Sequence, residues 1–295
     1  MKEFKNKVAV ITGAGSGIGL ALAERCAKEG MKVIVADIDK IGLRRVQRKI
    51  KRIGGESISI LTDVSKANDI EVLAEKTINT YGAVHLLVNN AGIGNTKYAW
   101  EYTMKDWEWQ LGVNLWGVIH GIRIFAPIML KQNTECHIVN VSSMEGMFKG
   151  SGPGGAVYGA SKHAVVSLTE TLQLDLELKE IDKLKVSIVC PGFVNTRIFL
   201  GDIHRPKEFQ NPPTTQVEDR GQKYLANMAA KFGYSNESGF EQVIQETKLM
   251  ASEEAADIIF QGIREGKFYI FTHKDSIMKG LVRMRFDEIL KELDT

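Results

Sequence analysis

Short, mostly apolar runs alternate with longer stretches in which apolar residues recur every three or four positions. The runs fall at residues 8–11, 33–36, 58–61, 86–88, 138–141 and 186–189. Strands buried on both faces read this way, without polar alternation. Between them the helical period predicts helices from near Gly17 to before Gly30, over 40–53, over 67–81, in one long stretch between 88 and 138, and over 157–178. A helix over 253–265 and an extended run over 268–271 close the pattern. Strands separated by helices predict an α/β fold whose parallel sheet is covered on both faces.

The rhythm breaks over 197–250. This stretch holds Pro206, Pro212 and Pro213, many polar residues, and Phe199, Phe209, Tyr224, Met228, Phe232 and Phe240. A segment so long inside one domain is usually a lid, a binding element or disordered. It follows the C-terminal end of a strand, so a substrate lid with some helix of its own is expected. The tail, 274–295, carries an amphipathic stretch with Lys279, Arg283 and Arg285 among Leu281, Val282, Met284 and Phe286. One apolar face is the ordinary pattern of a helix packed on a core or a neighbouring subunit, and a membrane-surface helix is the less favoured reading. The chain is read as one catalytic domain, 1–295, with these two additions.

Composition narrows the partners. The 295 residues are 44% hydrophobic and 25% charged, ordinary for a globular chain with a sizeable core. A net charge of +2 gives no footing for nucleic acid. Cys26, Cys136 and Cys190 are far apart, odd in number and form no C-x-x-C, so reduced thiols and a cytoplasmic setting are expected. The six histidines show no metal-ligand spacing, so no metal is expected. Lys2, Lys5 and Lys7 ahead of an apolar stretch loosely imitate a signal sequence, but four glycines, Thr12 and Ser16 interrupt it. No run of about 18 apolar residues predicts a membrane span.

The chemistry begins at residues 12–19, Thr-Gly-Ala-Gly-Ser-Gly-Ile-Gly, between the first strand and the first helix. Glycines at 13, 17 and 19 permit a tight turn and close approach to a phosphate, and the helix N-terminus offers free N–H groups. Ser16 and Ile18 share the loop. Asp37 ends the second strand about 20 residues further on, where a carboxylate accepts hydrogen bonds from an adenosine ribose. Asp39 adds negative charge, and neither position 38 nor Ser16 supplies a cation. NAD is therefore favoured over NADP, with Lys40 and Arg44 the nearest groups that could reach a 2′-phosphate. Asp63 follows the third strand and is placed to contact adenine. Asn90, Ala91 and Gly92 follow the fourth, where small groups let a cofactor lie close.

Tyr158 and Lys162 stand four residues apart, on one face of the helix over 157–178. A phenol exchanges protons poorly near neutral pH because its pKa is about 10, and a neighbouring ammonium favours the phenolate. A fall to about 7 needs roughly 4 kcal/mol. One ammonium about 5 Å away gives roughly 3 kcal/mol at an effective dielectric of 20. The lysine alone falls short, so a cationic nicotinamide and a serine hydroxyl are expected to add the rest.

The glycine loop, Asp63, residues 89–92, Asn114, Ser142-Ser143, Tyr158-x-x-x-Lys162 and Pro191-Gly192 run in an order that resembles the short-chain dehydrogenase/reductase family. The resemblance implies a Rossmann-type doubly wound parallel sheet of about seven strands in three α/β/α layers. It implies a catalytic set of Asn114, Ser143, Tyr158 and Lys162. Tyr158 exchanges the proton, Lys162 holds the nicotinamide ribose, Ser143 bonds the substrate oxygen and Asn114 holds a relay water. Ser142 stays open as the alternative serine. Val64, Pro191, Gly192, Val194 and Thr196 complete the expected cofactor contacts, Thr196 at the nicotinamide amide. Net function is expected to be hydride transfer between NAD and a small-molecule secondary alcohol or ketone in a homodimer or homotetramer. Met147, Phe148, Phe193 and Ile198 suggest a bulky apolar substrate. A dinucleotide-sensing regulator, an NADP-dependent carbonyl reductase and an epimerase or dehydratase using NAD transiently are the alternatives. The loop over 149–155 is a little longer than the family's usual one.

Overall fold

Strand β1, Val8–Thr12, is buried along its whole length and sends successive side chains to opposite faces. Ala9 and Ile11 pack with one group of helices, Val8 and Val10 with another. This double burial is why the strand reads as an unbroken apolar run. The structure, a computed structural model, describes residues 1–148, 155–212 and 249–294.

Helix α1 (Gly17–Lys28) leads to β2 (Lys32–Asp37), then α2 (Lys40–Arg52), β3 (Glu56–Leu61), α3 (Ala67–Tyr81) and β4 (Leu86–Asn89). Asp39 starts α2 by accepting the Ile41 N–H at 2.9 Å. Helices α4 (Met104–Leu111) and α5 (Gly117–Gln132) precede β5 (Cys136–Val141), α6 (Ala156–Leu178) and β6 (Leu184–Cys190). Helix α7 (Ser252–Glu265), strand β7 (Tyr269–Phe271) and helix α8 (Ser276–Leu293) complete the described elements.

The seven strands form one parallel sheet in the order β3-β2-β1-β4-β5-β6-β7. Side chains of α1, α2 and α7 fill one face, and those of α3 and α5 the other. The expected three-layer Rossmann-type architecture is present. Strand order reverses between β1 and β4, so the loops leaving them part and open a crevice at the strands' C-terminal ends.

Two expectations change in detail. The long helix before β5 is interrupted by a π-turn, Gly112–Trp116. As a whole, Met104–Gln132 is long and apolar enough by composition to cross a membrane, with mean hydropathy 1.4 over its most apolar window. It lies against the sheet instead, with Val118, Phe125 and Met129 buried. Strand β3 begins two residues before the apolar run because it is the sheet edge and Glu56 is exposed. The tail is a helix whose first turns pack on the core: Met278 is buried, and Leu281 and Val282 lie against the cluster around Met144 and Val165. Of the expected lid, residues 198–204 and 207–209 form short 3-10 turns, and Met250 returns beside Val194. Tyr224, Met228, Phe232 and Phe240 lie outside the described residues, as do residues 149–154.

Candidate active site

A cavity of about 470 Å³ opens at the C-terminal ends of the central strands. Its walls include Gly13, Ser16, Gly17, Ile18, Asp37, Asp63, Val64, Asn90, Ala91, Gly92, Ser143, Tyr158, Lys162, Pro191, Gly192, Val194 and Thr196. Gly19 and Asn114, also expected at the site, stand behind the wall.

The glycine loop is shaped by contact with the β4 loop. Gly13 has φ +64°, and a Cβ there would sit 2.7 Å from Ala91 Cα. A Cβ on Gly19 would lie 2.2 Å from the Gly13 carbonyl oxygen. Gly19 thus packs the loop rather than touching a ligand. Gly19→Ala is expected to cost about 1–3 kcal/mol by overpacking and to weaken NADH binding, since Gly13 must move. A thermal melt and a fluorescence titration check both; unchanged values would contradict the packing role. Asn90 also acts mainly as a buttress, its amide donating to Thr12 O at 2.9 Å, while its backbone N–H donates to Thr12 Oγ1 at 3.0 Å. Ser16 caps α1 without a side-chain hydrogen bond, and the first turn has no acidic residue. That end of the helix suits a phosphate.

Both oxygens of Asp37 accept a backbone N–H, from Gly15 and Asp39, each at 2.8 Å. One lone pair on each remains for a ribose hydroxyl. Burial raises this carboxyl above its ordinary value, more than the two N–H donors lower it. The basic group that reaches the glycine loop is Arg45, which donates to Gly15 O at 2.7 Å; sequence reasoning passed over it. Asp63 is occupied by its own turn, with Oδ1 accepting from the Ser65 N–H and hydroxyl at 3.1 and 2.6 Å.

At the other end of the cavity, α6 presents Tyr158 and Lys162. The lysine is buried, donates to Val141 O at 3.0 Å and stands 5.6 Å from the centre of the tyrosine ring. Ser143 hydrogen-bonds the Tyr158 phenol and accepts the Glu145 N–H at 3.1 Å. Ser142 Oγ instead donates to Lys162 O at 2.8 Å, which ties β5 to α6 and takes it away from the phenol. The geometry therefore favours Ser143 of the two serines. Asn114 lies on the π-turn, fully buried, pairing with Ile93 O and N at 2.9 Å and with Ser161 Oγ at 3.1 Å. Its Oδ1 and Lys162 Nζ both approach Gly92, 3.5 and 3.4 Å from where a Cβ would stand. π-turns frequently mark functional sites because they release helix carbonyls.

The protein's own groups do not lower the Tyr158 phenol. Burial pushes Tyr158 well above the usual range, the Glu145 charge adds to this, and only the Ser143 hydrogen bond opposes it. Burial likewise pushes Lys162 down to about 8. Desolvation is the largest influence on both groups. Glu145 lines the cavity, and sequence reasoning missed it despite its place two residues after Ser143. Phe148, Phe193 and Ile198 face the cavity as expected, joined by Trp109 and Leu200. Met147 instead packs in the cluster beneath.

Comparison with known proteins agrees with this geometry. The short chain dehydrogenase family model matches residues 7–203. A CLA biosynthesis dehydrogenase/reductase of Lactiplantibacillus plantarum is 34% identical over 276 residues, 93% of this chain and 91% of its own. A 1-deoxy-11-beta-hydroxypentalenate dehydrogenase of Streptomyces exfoliatus is 25% identical over 99% of this chain and 91% of its own. The crystal structure of a short chain dehydrogenase/reductase from Burkholderia phymatum in complex with NAD superposes with a TM-score of 0.86 at 40% identity, covering 99% of this chain and 97% of that one. With its sheet order, its glycine loop and its serine, tyrosine and lysine on one cavity wall, this chain belongs to the short-chain dehydrogenase family of oxidoreductases.

Proposed function

We propose that the protein transfers a hydride between NAD(H) and a bulky, apolar secondary alcohol or ketone, with Tyr158 moving the proton. The observation that carries this reading is one continuous cavity with Gly13, Gly17 and Asp37 at one end and Ser143, Tyr158 and Lys162 at the other. The uncapped start of α1, the glycine cradle and Asp37 fit pyrophosphate and ribose. The relative from B. phymatum binds NAD, which supports the same cofactor here. The nicotinamide, when bound, supplies the hydride acceptor or donor.

The protein's own groups handle the oxygen and the proton. Ser143 holds the substrate oxygen beside the Tyr158 hydroxyl, and Tyr158 gives or takes the proton there. Lys162 stabilises the phenolate and reaches toward Gly92, and Asn114 on the same side holds the water that carries the proton onward. Trp109, Phe148, Phe193, Ile198 and Leu200 surround the remainder of the substrate, which is why a cyclic or otherwise bulky apolar alcohol fits. Phe193 and Trp109 would leave a short polar alcohol loosely held.

Two tests follow. In a screen of secondary alcohols with NAD and NADP, NAD is expected to be preferred, because Asp37 and Asp39 would face a 2′-phosphate. Preference for NADP would overturn that argument and point to Arg45. The pH dependence has a definite sign. Burial favours the neutral phenol, so ketone reduction, which consumes its proton, holds at neutral pH and falls as pH rises. Alcohol oxidation needs phenolate and climbs over the same range. Initial rates in the two directions that are flat with pH would contradict Tyr158 as the proton carrier.

A further inference from the structure

We propose that His204 is a cofactor-retaining residue: residues 198–211 form a strap across the cavity, and His204 closes it against Asp39 over the adenosine end. The inference rests on the dinucleotide reading above and adds a contact from the opposite wall. Asp39 belongs to the β2 end of the cleft, and His204 to the segment that follows β6. Nonetheless His204 Nε2 stands 4.0 Å from Asp39 Oδ2. His204, Asp37 and Asp39 line the same cavity.

What makes this a built contact is the anchoring on either side. At its start the strap is fixed by the Gly94 N–H, which donates to Ile198 O at 2.7 Å. Immediately after His204, Arg205 lies under the strap with 7% of its side chain exposed, paired to the buried Asp106 at 2.6 Å and stacked 4.6 Å over the Trp109 ring. Asn211 donates to the same carboxylate at 2.9 Å, and Lys105 holds Gln210 O at 3.1 Å. Between two fixed points the backbone has little freedom, so the strap sets where His204 stands relative to Asp39. A ribose held by Asp37 would have this contact beside it, and loss of the contact would ease its departure.

The test is NADH dissociation by stopped-flow fluorescence. His204→Ala is expected to release NADH about two- to five-fold faster, the range of a weak, partly exposed contact. Asp39→Ser, which keeps the cap of α2, is expected to do the same, and the double variant to add little, because both remove one contact. Reduced nicotinamide mononucleotide, which lacks the adenosine, should bind wild type and His204→Ala equally. Wild-type release rates in His204→Ala would overturn the proposal, and so would an equal loss of both cofactors, which would mean a loosened strap. A wild-type protein that binds no NADH would remove the dinucleotide reading itself and this one with it.

Discussion

Tyr158→Phe is expected to lower turnover by about 10²- to 10⁴-fold, the usual contribution of a positioned acid or base. The substitution keeps the ring, which stands 5.6 Å from the Lys162 ammonium, and removes only the hydroxyl bonded to Ser143. Packing and the glycine loop are untouched, so NADH should bind within about two-fold of wild type. Initial rates by nicotinamide absorbance and a fluorescence titration on the same preparation separate the two effects. A dinucleotide-sensing regulator would bind cofactor and lose nothing measurable on substitution. Unchanged turnover would remove Tyr158 from the chemistry.

The second large effect concerns the anchor beneath the strap. Asp106 caps α4 through Thr103 and is 1% exposed, yet it accepts hydrogen bonds from Lys97 and Arg205, each at 2.6 Å. Burial alone would raise its carboxyl; Lys97, Thr103, Arg205 and Asn211 outweigh that and hold it well below the usual carboxylate range. Removing one partner of a buried pair leaves the other charge uncompensated, at about 3–5 kcal/mol. Asp106→Asn, nearly the same size, is therefore expected to lower stability by about 3 kcal/mol in urea denaturation. It should also raise KM for the alcohol more than it lowers kcat, because Ile198 and Leu200 leave the substrate wall with the strap. A carboxyl lowered in the folded state contributes its full stability above its unfolded pKa of about 4 and loses it progressively as pH falls from there through the lower folded value. Wild type should thus keep most of this contribution at pH 4 and shed it below that, whereas Asp106→Asn has none to lose. A urea midpoint and KM equal to wild type would contradict the anchor.

Much of this architecture can be read from the chain because parallel strands are buried on both faces. Residues 8–11, 138–141 and 186–189 appear as apolar runs for that reason alone. Gly13, Asp37, Asn90, Ser143 and Pro191 each end or follow a strand, so a parallel sheet necessarily gathers them at one edge. Tyr158 and Lys162 need only a helix to meet. What stayed hidden depends on distance or on burial. Arg205 and Asp106 are 99 positions apart, and nothing local marks either as a partner. His204 and Asp39 meet only because the strap returns across the cleft. The division of the long helix by Gly112–Trp116 leaves no clear imprint on its apolar period. The ionisation of the phenol is only half legible: the lysine is visible in the spacing, while the burial that raises the phenol belongs to the whole fold.

The most direct measurement of the central claim is transfer of an isotopic label. The protein is mixed with NAD and a secondary alcohol from the screen that carries deuterium on its carbinol carbon, and the reduced cofactor is analysed by mass spectrometry. Direct hydride transfer in this cavity predicts one deuterium in the NADH formed by wild type, and almost no NADH with Tyr158→Phe over the same interval. Unlabelled NADH, or labelled NADH formed equally fast by both proteins, would contradict the account.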